Sequence, residues 1–242
     1  MKLLLTLLIC IYSYSVNCQE QEICPGRIPQ GWVIVSYRPC AGCCGAKGIV
    51  YMPTIKKIAN LPTGTTLEIC PQQIPRGWVV ISYRPCAGCC GAKGIVYMPT
   101  IKKIDNLPDG TTMEICPQQI PAGWVAISYR PCAGCCGAKG IINMPTIKKI
   151  DNLPSGTTIE VCQQRIPKDW VIISSRPCAG CCGGTGIVNM LTIKCIADMP
   201  SGTTMEICPQ SIPRGWIVTS TRPCAGCCGS KGIVNMSTIK KL

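Results

Sequence analysis

The 242-residue sequence contains no histidine and no phenylalanine, and only 11 of its residues are acidic. Histidine is the usual general base beside a nucleophile and a frequent metal ligand, so its absence argues against both kinds of site. Neither a glycine-rich phosphate loop nor a serine elbow occurs in the sequence. We therefore predict a protein that is not an enzyme, with no catalytic residues, no metal and no cofactor.

Long apolar runs are also missing, apart from the stretch from Leu3 to Ile11. That stretch is far shorter than the roughly 20 residues that a membrane span requires. It is followed by polar and small residues up to Cys18, which is typical of a secretory signal peptide. We predict a signal peptide over residues 1–18, a mature N-terminus at Gln19, and a secreted, extracellular protein without a membrane span.

Cysteine and basic residues, in contrast, are abundant. The chain has 23 cysteines, a density typical of extracellular disulfide scaffolds. Its formal charge is +13, and +12 once Lys2 leaves with the signal peptide. This excess favours an anionic surface or glycan as the partner, ahead of nucleic acid, although it would equally serve solubility.

The cysteines recur with a constant period of 46 residues, without insertion or deletion. A fixed period of this length is typical of tandem repeat proteins. On this basis residues 19–23 form a short N-terminal segment before the repeats. The repeats then span residues 24–69, 70–115, 116–161, 162–207 and, truncated, 208–242.

Proline, glycine and β-branched residues are dense in every copy, and no 3.6-residue apolar period persists, so strands are favoured over helices. In the second copy the pattern predicts strands at 78–84 and 94–103, and a further strand at 111–116 that leads into the third copy. We expect the turn at 107–110 to join the last strand of one copy to the first strand of the next as a shared hairpin. The predicted fold is all-β, a tandem array of five small disulfide-stapled β-modules, with a closed five-bladed propeller-like ring as the alternative.

One strand of each copy begins with a tryptophan that follows a proline-containing turn. In the second copy, alternation places Trp78 on one strand face and Val79 on the other, and we expect the tryptophan face to pack inward. The preceding Ile-Pro-x-Gly segment has the composition of a β-turn. In the fourth copy Asp169 replaces the glycine, and aspartate tolerates the same left-handed backbone better than most residues.

Each copy contains the pattern Cys-x15-Cys-x2-Cys-Cys, and four cysteines allow three pairings within a closed module. A bond between adjacent cysteines would close a strained ring, so the leading cysteine should pair with one member of the adjacent pair. A bond to a neighbouring copy stays open as an alternative. The cysteines predicted to form disulfides are Cys24, Cys40, Cys43, Cys44, Cys70, Cys86, Cys89, Cys90, Cys116, Cys132, Cys135, Cys136, Cys162, Cys178, Cys181, Cys182, Cys208, Cys224, Cys227 and Cys228.

Three further features depart from a purely structural pattern. Cys195 replaces a lysine of the other copies, and it either stays a free thiol or forms an interchain disulfide. Asn235 begins the single Asn-x-Ser sequon, a possible glycosylation site. The residue at the tip of the proline turn varies between copies. Such variation is typical of the specificity residue of a protease inhibitor, and equally of an exposed turn whose sequence is not constrained. The varying residues are Gln30, Arg76, Ala122, Lys168 and Arg214.

Two functions fit these features. The first is a secreted, non-enzymatic, cysteine-rich repeat protein that acts as a multivalent extracellular binding or structural protein. The alternative is host defence, either as a multi-unit protease inhibitor or as a precursor of cationic antimicrobial peptides cut at paired lysines such as Lys102-Lys103.

Overall fold

The computed structural model describes residues 19–242, and the predicted signal peptide at 1–18 lies outside the described residues. The regular structure consists of strands and single 3-10 turns. The strands are β1 (Glu20–Glu22), β2 (Trp32–Ala41), β3 (Ile49–Lys57), β4 (Thr66–Glu68), β5 (Trp78–Ala87), β6 (Ile95–Lys103), β7 (Thr112–Glu114), β8 (Trp124–Ala133), β9 (Ile141–Lys149), β10 (Thr158–Cys162), β11 (Trp170–Ala179), β12 (Ile187–Cys195), β13 (Thr204–Ile207), β14 (Trp216–Ala225) and β15 (Ile233–Lys241). Residues 19–242 include no helix able to span a membrane.

The strands form five separate antiparallel sheets of three strands each, so the all-β prediction of tandem modules is confirmed. We number these sheets as modules 1 to 5. In each module the last strand in sequence is the central one, as in the order β1-β3-β2. The four-stranded blade of a propeller is absent from the described part of the chain, and no sheet there closes on itself, so the ring alternative has no support.

Each sheet takes its first strand from the residues just before the leading cysteine. β4, for example, ends at Glu68 and pairs with β6 of module 2, two residues before Cys70. The shared hairpin that we predicted from the turn sequences is therefore wrong, since β3 and β4 lie in different sheets. For the same reason module 5 has three strands like the others, although its cysteine-based repeat is shorter.

The proline turn before each tryptophan strand has the backbone that its composition predicts. In module 2 the Trp78 N–H donates to the Pro75 carbonyl (3.2 Å), and Gly77 has φ +82°. A Cβ at Gly77 would also clash with the Asp105 carboxylate. In module 4 Asp169 takes the glycine position with φ +64°, and Ala197 stands where modules 2 and 3 have that aspartate. The paired exchange keeps the turn free of a clash.

The tryptophans pack inward as predicted, with Trp78, Trp124, Trp170 and Trp216 only 5–7% exposed, whereas Trp32 is partly exposed. In modules 3 and 4 the opposite face of the tryptophan strand is also buried, since Val125 is 0% and Val171 is 1% exposed. The cause is visible in the core of modules 4 and 5. There Val171 of module 4 packs with Ile207, Trp216 and Ile239 of module 5. Burial thus comes from contact between modules as well as within them.

The chain divides into two compact units, one ending at Asn106 and one beginning at Leu107. The first unit holds modules 1 and 2, and the second holds modules 3, 4 and 5. Within each unit, neighbouring modules meet at the edge of the tryptophan strand, where a β-bulge shifts the register between Ile34 and Ser36 of β2. The Cys70 N–H of module 2 donates to the Ile34 carbonyl (2.9 Å) at this edge.

A glutamine side chain completes the contact between neighbouring modules. Gln72 Oε1 accepts from the Ile34 N–H (3.1 Å), and Gln72 Nε2 donates to the Ile34 carbonyl (2.9 Å). The amide therefore pairs with an open strand edge much as another strand would. Gln164 bonds Ala126, and Gln210 bonds Ile172, in the same two-bond arrangement. The first copy has Gly26 at the corresponding position.

Candidate functional site: the cysteine tips

The hairpin between the second and third strands of each module ends in a rigid loop, which we call the cysteine tip. In module 1 it spans residues 40–49, and its equivalents span 86–95, 132–141, 178–187 and 224–233. The Ala46 N–H donates to the Cys43 carbonyl, and the Gly42 N–H donates to the Gly48 carbonyl, both at 3.1 Å. These two bonds close the loop on itself.

The tip sequence Gly-Cys-Cys-Gly forms this loop because it accepts left-handed backbone at three of its four residues. Gly42 has φ +71°, Cys44 has φ +57° and Gly45 has φ +75°. A cysteine in this conformation is uncommon, because its Cβ crowds the following carbonyl. The conformation turns Cys43 and Cys44 in different directions, so that each one reaches a different partner.

Two disulfides within each module hold every tip, and none of the ten joins different modules in residues 19–242. In modules 2 to 5 the long-range bond places one half-cystine in the core, as Cys70 is 1% exposed. The leading cysteine bonds the second member of the adjacent pair, as in Cys24–Cys44, Cys70–Cys90, Cys116–Cys136, Cys162–Cys182 and Cys208–Cys228. The short bonds are Cys40–Cys43, Cys86–Cys89, Cys132–Cys135, Cys178–Cys181 and Cys224–Cys227.

A methionine side chain that packs against the long-range disulfide also helps to hold each tip. Met98 is 5% exposed, and its Sδ lies 3.2 Å from Cys90 Sγ. The same methionine lies under the long-range disulfide in every module, and sulfur is a soft, polarisable contact for such a site. The tip backbone is therefore fixed by hydrogen bonds, disulfides and a buried side chain together.

The end of each tip presents an apolar side chain to solvent. The residue is Ile49, Ile95, Ile141, Ile187 or Ile233, and each of these isoleucines is between 68% and 75% exposed. Two positions earlier an exposed lysine stands in four of the tips, at Lys47, Lys93, Lys139 and Lys231, while Thr185 takes this place in module 4. Every tip therefore presents an exposed isoleucine, and in four of the five modules a lysine lies beside it.

The arginines of the sheets, in contrast, are neutralised by glutamates. Arg130 donates two hydrogen bonds of 2.8 Å to Glu114, from β8 across to β7. These bonds hold the pKa of the Glu114 carboxyl below its usual value and raise the pKa of Arg130. Each of the other four modules has the same pair, formed by Arg38 with Glu22, Arg84 with Glu68, Arg176 with Glu160, and Arg222 with Glu206. The tip lysines have no such acidic partner among the ion pairs of the described chain.

The variable residues of the proline turns are all exposed: Gln30, Arg76, Ala122, Lys168 and Arg214. Neighbouring turns within a unit come together. Gln30 and Arg76 line one shallow groove with Trp78, while Lys168 and Arg214 line another with Trp170. Each variable residue lies in a tight turn and does not extend outward as a peptide-like segment.

Cys195 is a free thiol and is only 3% exposed. It takes the place of a lysine that bonds a carbonyl of the preceding inter-module turn, as Lys149 Nζ does with Leu107 (2.7 Å). The Cys195 thiol lies 3.6 Å from the corresponding Leu153 carbonyl and packs with Trp170 and Val125. The substitution therefore replaces a charged hydrogen bond by a weak uncharged one from a thiol that is packed among apolar side chains. A second chain could reach this thiol only after local opening.

Two other sequence features lie on the strands. Asn235 is exposed on β15, two residues from the end of the tip. The paired lysines are the last two residues of central strands, and they are still hydrogen-bonded there, as the Lys103 N–H donates to the Thr65 carbonyl (2.9 Å). No group of three or more histidine, cysteine, aspartate or glutamate side chains in residues 19–242 is placed to bind a metal ion.

Comparison of the chain with protein-family models, with curated proteins and with solved structures gave no match. The site assignment therefore depends on geometry and chemistry alone. Sequence reasoning missed the tips as a surface, because an Ile-Val pair after a lysine reads as the start of a buried strand. The Gly-Ile step that follows the cysteines in all five copies, with a lysine before it in four of them, was the signal that could have identified them.

Proposed function

We propose that the protein is a non-enzymatic extracellular protein that binds an anionic surface through several cysteine tips at once. The observation that carries this proposal is the isoleucine at the end of each tip, which is about 70% exposed in all five modules. Disulfides and left-handed glycines account for the conserved shape of the loop. They give no reason for an apolar side chain at its outer end.

The charge distribution supports an anionic target. Five arginines are paired with glutamates on the sheets, so the tip lysines supply positive charge that is free to act on a partner. A lysine near an anionic surface contributes about 1 kcal/mol of binding free energy. The contribution of one lysine is small, but four together contribute about 4 kcal/mol of binding free energy, which raises the affinity by a factor of roughly a thousand.

Rigidity supports multivalent contact. A flexible loop loses conformational entropy when it binds, whereas a tip closed by two disulfides and two backbone bonds loses little. Linked rigid sites also convert later contacts into intramolecular events, which raises the overall affinity without any new chemistry. Repetition of an ordered tip therefore suits a protein that adheres to a repetitive surface.

The experiment reverses the charge of the tip lysines and compares the loss of binding with that caused by four charge reversals outside the tips. The tip variant changes Lys47, Lys93, Lys139 and Lys231 to glutamate. The control changes four other exposed basic residues, Arg76, Arg165, Lys168 and Arg214, to glutamate, so both proteins have the same net charge. We expect the tip variant alone to lose binding to immobilised sulfated glycan and to vesicles containing phosphatidylserine. Equal losses in both variants would contradict the proposal.

A second arm distinguishes the two sources of negative charge. All five tip isoleucines are changed to serine in the full chain. If the target is a lipid surface, vesicle binding falls while glycan binding persists, because apolar side chains contribute by entering the headgroup region. If the target is a glycan, the isoleucine change affects both probes little and the lysine change governs both.

Host defence is the competing proposal, and the exposed, variable proline turns are the observation in its favour. Trypsin inhibition by the wild-type chain, lost when Arg76 and Arg214 are changed to alanine, would establish an inhibitor. A peptide precursor is less compatible with the geometry, because each lysine pair is hydrogen-bonded at the end of a central strand, whereas a protease binds its substrate as an unpaired extended segment. Recovery of an uncut chain from Gln19 onward would exclude the precursor.

A further inference from the structure

The tryptophan-strand edge of module 5 is uncovered within residues 19–242, unlike its equivalents in modules 3 and 4. Ala126 of module 3 and Ile172 of module 4 each bond a glutamine of the next module. The equivalent residue of module 5, Val218, is 43% exposed, as is Ile217 beside it. An open, partly apolar strand edge is a template for association with another chain.

The asparagine at 235 belongs to the same surface. Its equivalents in the second unit reach the following module, since Asn143 Nδ2 donates to the Gly183 carbonyl (2.8 Å) and Asn189 Nδ2 donates to the Gly229 carbonyl (3.3 Å). Asn235 is exposed. The glutamine contacts and these asparagine contacts engage the same neighbour in modules 3 and 4, so Asn235 and Val218 lie on one face of module 5.

The sequence of module 5 differs from the other copies at this face. Ser237 replaces the residue that is Pro53, Pro99 or Pro145 in modules 1 to 3, and these prolines are buried. This exchange creates the sequon Asn235-Met236-Ser237, which the other copies lack. On the tryptophan strand, Thr219 replaces an isoleucine or valine of the other copies.

We propose that Asn235 carries an N-linked oligosaccharide that covers the uncovered edge of module 5 and prevents association there. In the transfer, Asn235 Nδ2 forms a bond to the anomeric carbon of a lipid-diphosphate-linked oligosaccharide. The bond from that carbon to the diphosphate oxygen breaks, Nδ2 gives up one proton, and the lipid diphosphate leaves. Four residues of strand, roughly 13 Å, separate Asn235 from Ile239, the partner of Val218, and a branched oligosaccharide spans this distance.

The inference shares with the proposed function only the passage of the chain through a secretory pathway. It involves none of the tip residues, so the two proposals fail separately. A missing glycan leaves binding through the tips untouched, and a tip variant that binds normally says nothing about Asn235.

The experiment uses the full chain secreted from a eukaryotic cell line. Intact mass and peptide mapping are recorded before and after digestion with peptide N-glycosidase, which converts a glycosylated asparagine to aspartate. We expect one glycan at Asn235 in the wild type and in Ser237→Thr, which keeps the sequon. We expect none in Ser237→Ala or Asn235→Gln. An unmodified Asn235 in the wild-type chain would overturn the assignment of the site.

Sedimentation analysis of the same proteins tests the covering role. The wild type and Ser237→Thr should stay monomeric, while Ser237→Ala and Asn235→Gln should self-associate as concentration rises. Adding Ile217→Lys to Ser237→Ala should restore the monomer, because it places a charge on the uncovered edge. Unglycosylated variants that stay monomeric like the wild type, or association that Ile217→Lys does not reduce, would overturn the proposed role of the glycan.

Discussion

Removal of the Gln72 side chain should weaken the contact between modules 1 and 2 by about 2 kcal/mol. Gln72 makes two hydrogen bonds to the backbone of Ile34, at 3.1 and 2.9 Å. Each such bond contributes about 1 kcal/mol net, because the groups regain water when the contact is lost. The Ile34 carbonyl keeps its bond from the Cys70 N–H, so the loss should be limited to the amide.

Amide hydrogen exchange at Ile34 measures this loss directly, since its N–H donates to Gln72 Oε1. A change of 2 kcal/mol corresponds to about 30-fold faster exchange in Gln72→Ala. The adjacent Gln73→Ala is the matched control, because Gln73 is exposed. The free energy of global unfolding in guanidinium should likewise fall in Gln72→Ala and stay near the wild-type value in Gln73→Ala. If exchange at Ile34 is the same in both variants, the glutamine does not hold the modules together and the reasoning fails.

Three further predictions concern the sulfur chemistry and the charges. Cys195 is 3% exposed, so it should resist a thiol reagent in the native chain and react fully in denaturant. Rapid labelling of the native chain, or a covalent dimer on a non-reducing gel, would show instead that the thiol is accessible. Mild reductant should open Cys86–Cys89 before Cys70–Cys90, because Cys86 and Cys89 are partly exposed whereas Cys70 is buried, and exchange requires access to the sulfurs. Loss of the Cys70–Cys90 bond should then cost more stability, about 3 kcal/mol for its 20-residue loop against about 2 kcal/mol for the 3-residue loop. Alkylation that appears first at Cys70 would refute this order. The Glu68 carboxyl has a pKa below its ordinary value of 4.5, chiefly through hydrogen bonds from Arg84. Its small contribution to stability should therefore be present above pH 4.5 and be lost as the pH falls through the lowered pKa. A stability difference between wild type and Glu68→Gln that grows in acid would contradict this direction.

The sequence was sufficient to predict features set by local chemistry. The 46-residue period identified the modules, and turn composition predicted the left-handed position at Gly77 and its replacement by Asp169. The pairing of the leading cysteine stayed ambiguous, because the choice between Cys89 and Cys90 depends on the left-handed backbone of Cys90. No residue preference predicts that conformation for a cysteine.

Features that depend on distant partners were not predictable. The turn after β3 is typical of a hairpin, yet β4 pairs with β6, which lies 27 residues later in the chain, counting from Glu68 to Ile95. Gln72 looks like an ordinary polar turn residue, because its function depends on a bulge 38 residues earlier. The tip isoleucines have the sequence pattern of core residues, and the repeated Gly-Ile step beside the cysteines was the one local signal that they face solvent.

The number of intact tips offers the most direct test of the proposed multivalent binding. Lys47, Lys93, Lys139 and Lys231 are changed to alanine one after another in the full chain, and affinity for one anionic surface is measured at a fixed salt concentration. At about 1 kcal/mol for each lysine, every step should weaken binding about fivefold, whichever tip is changed first. Affinity that does not change through the series, or that falls only at one particular tip, would contradict binding through repeated tips.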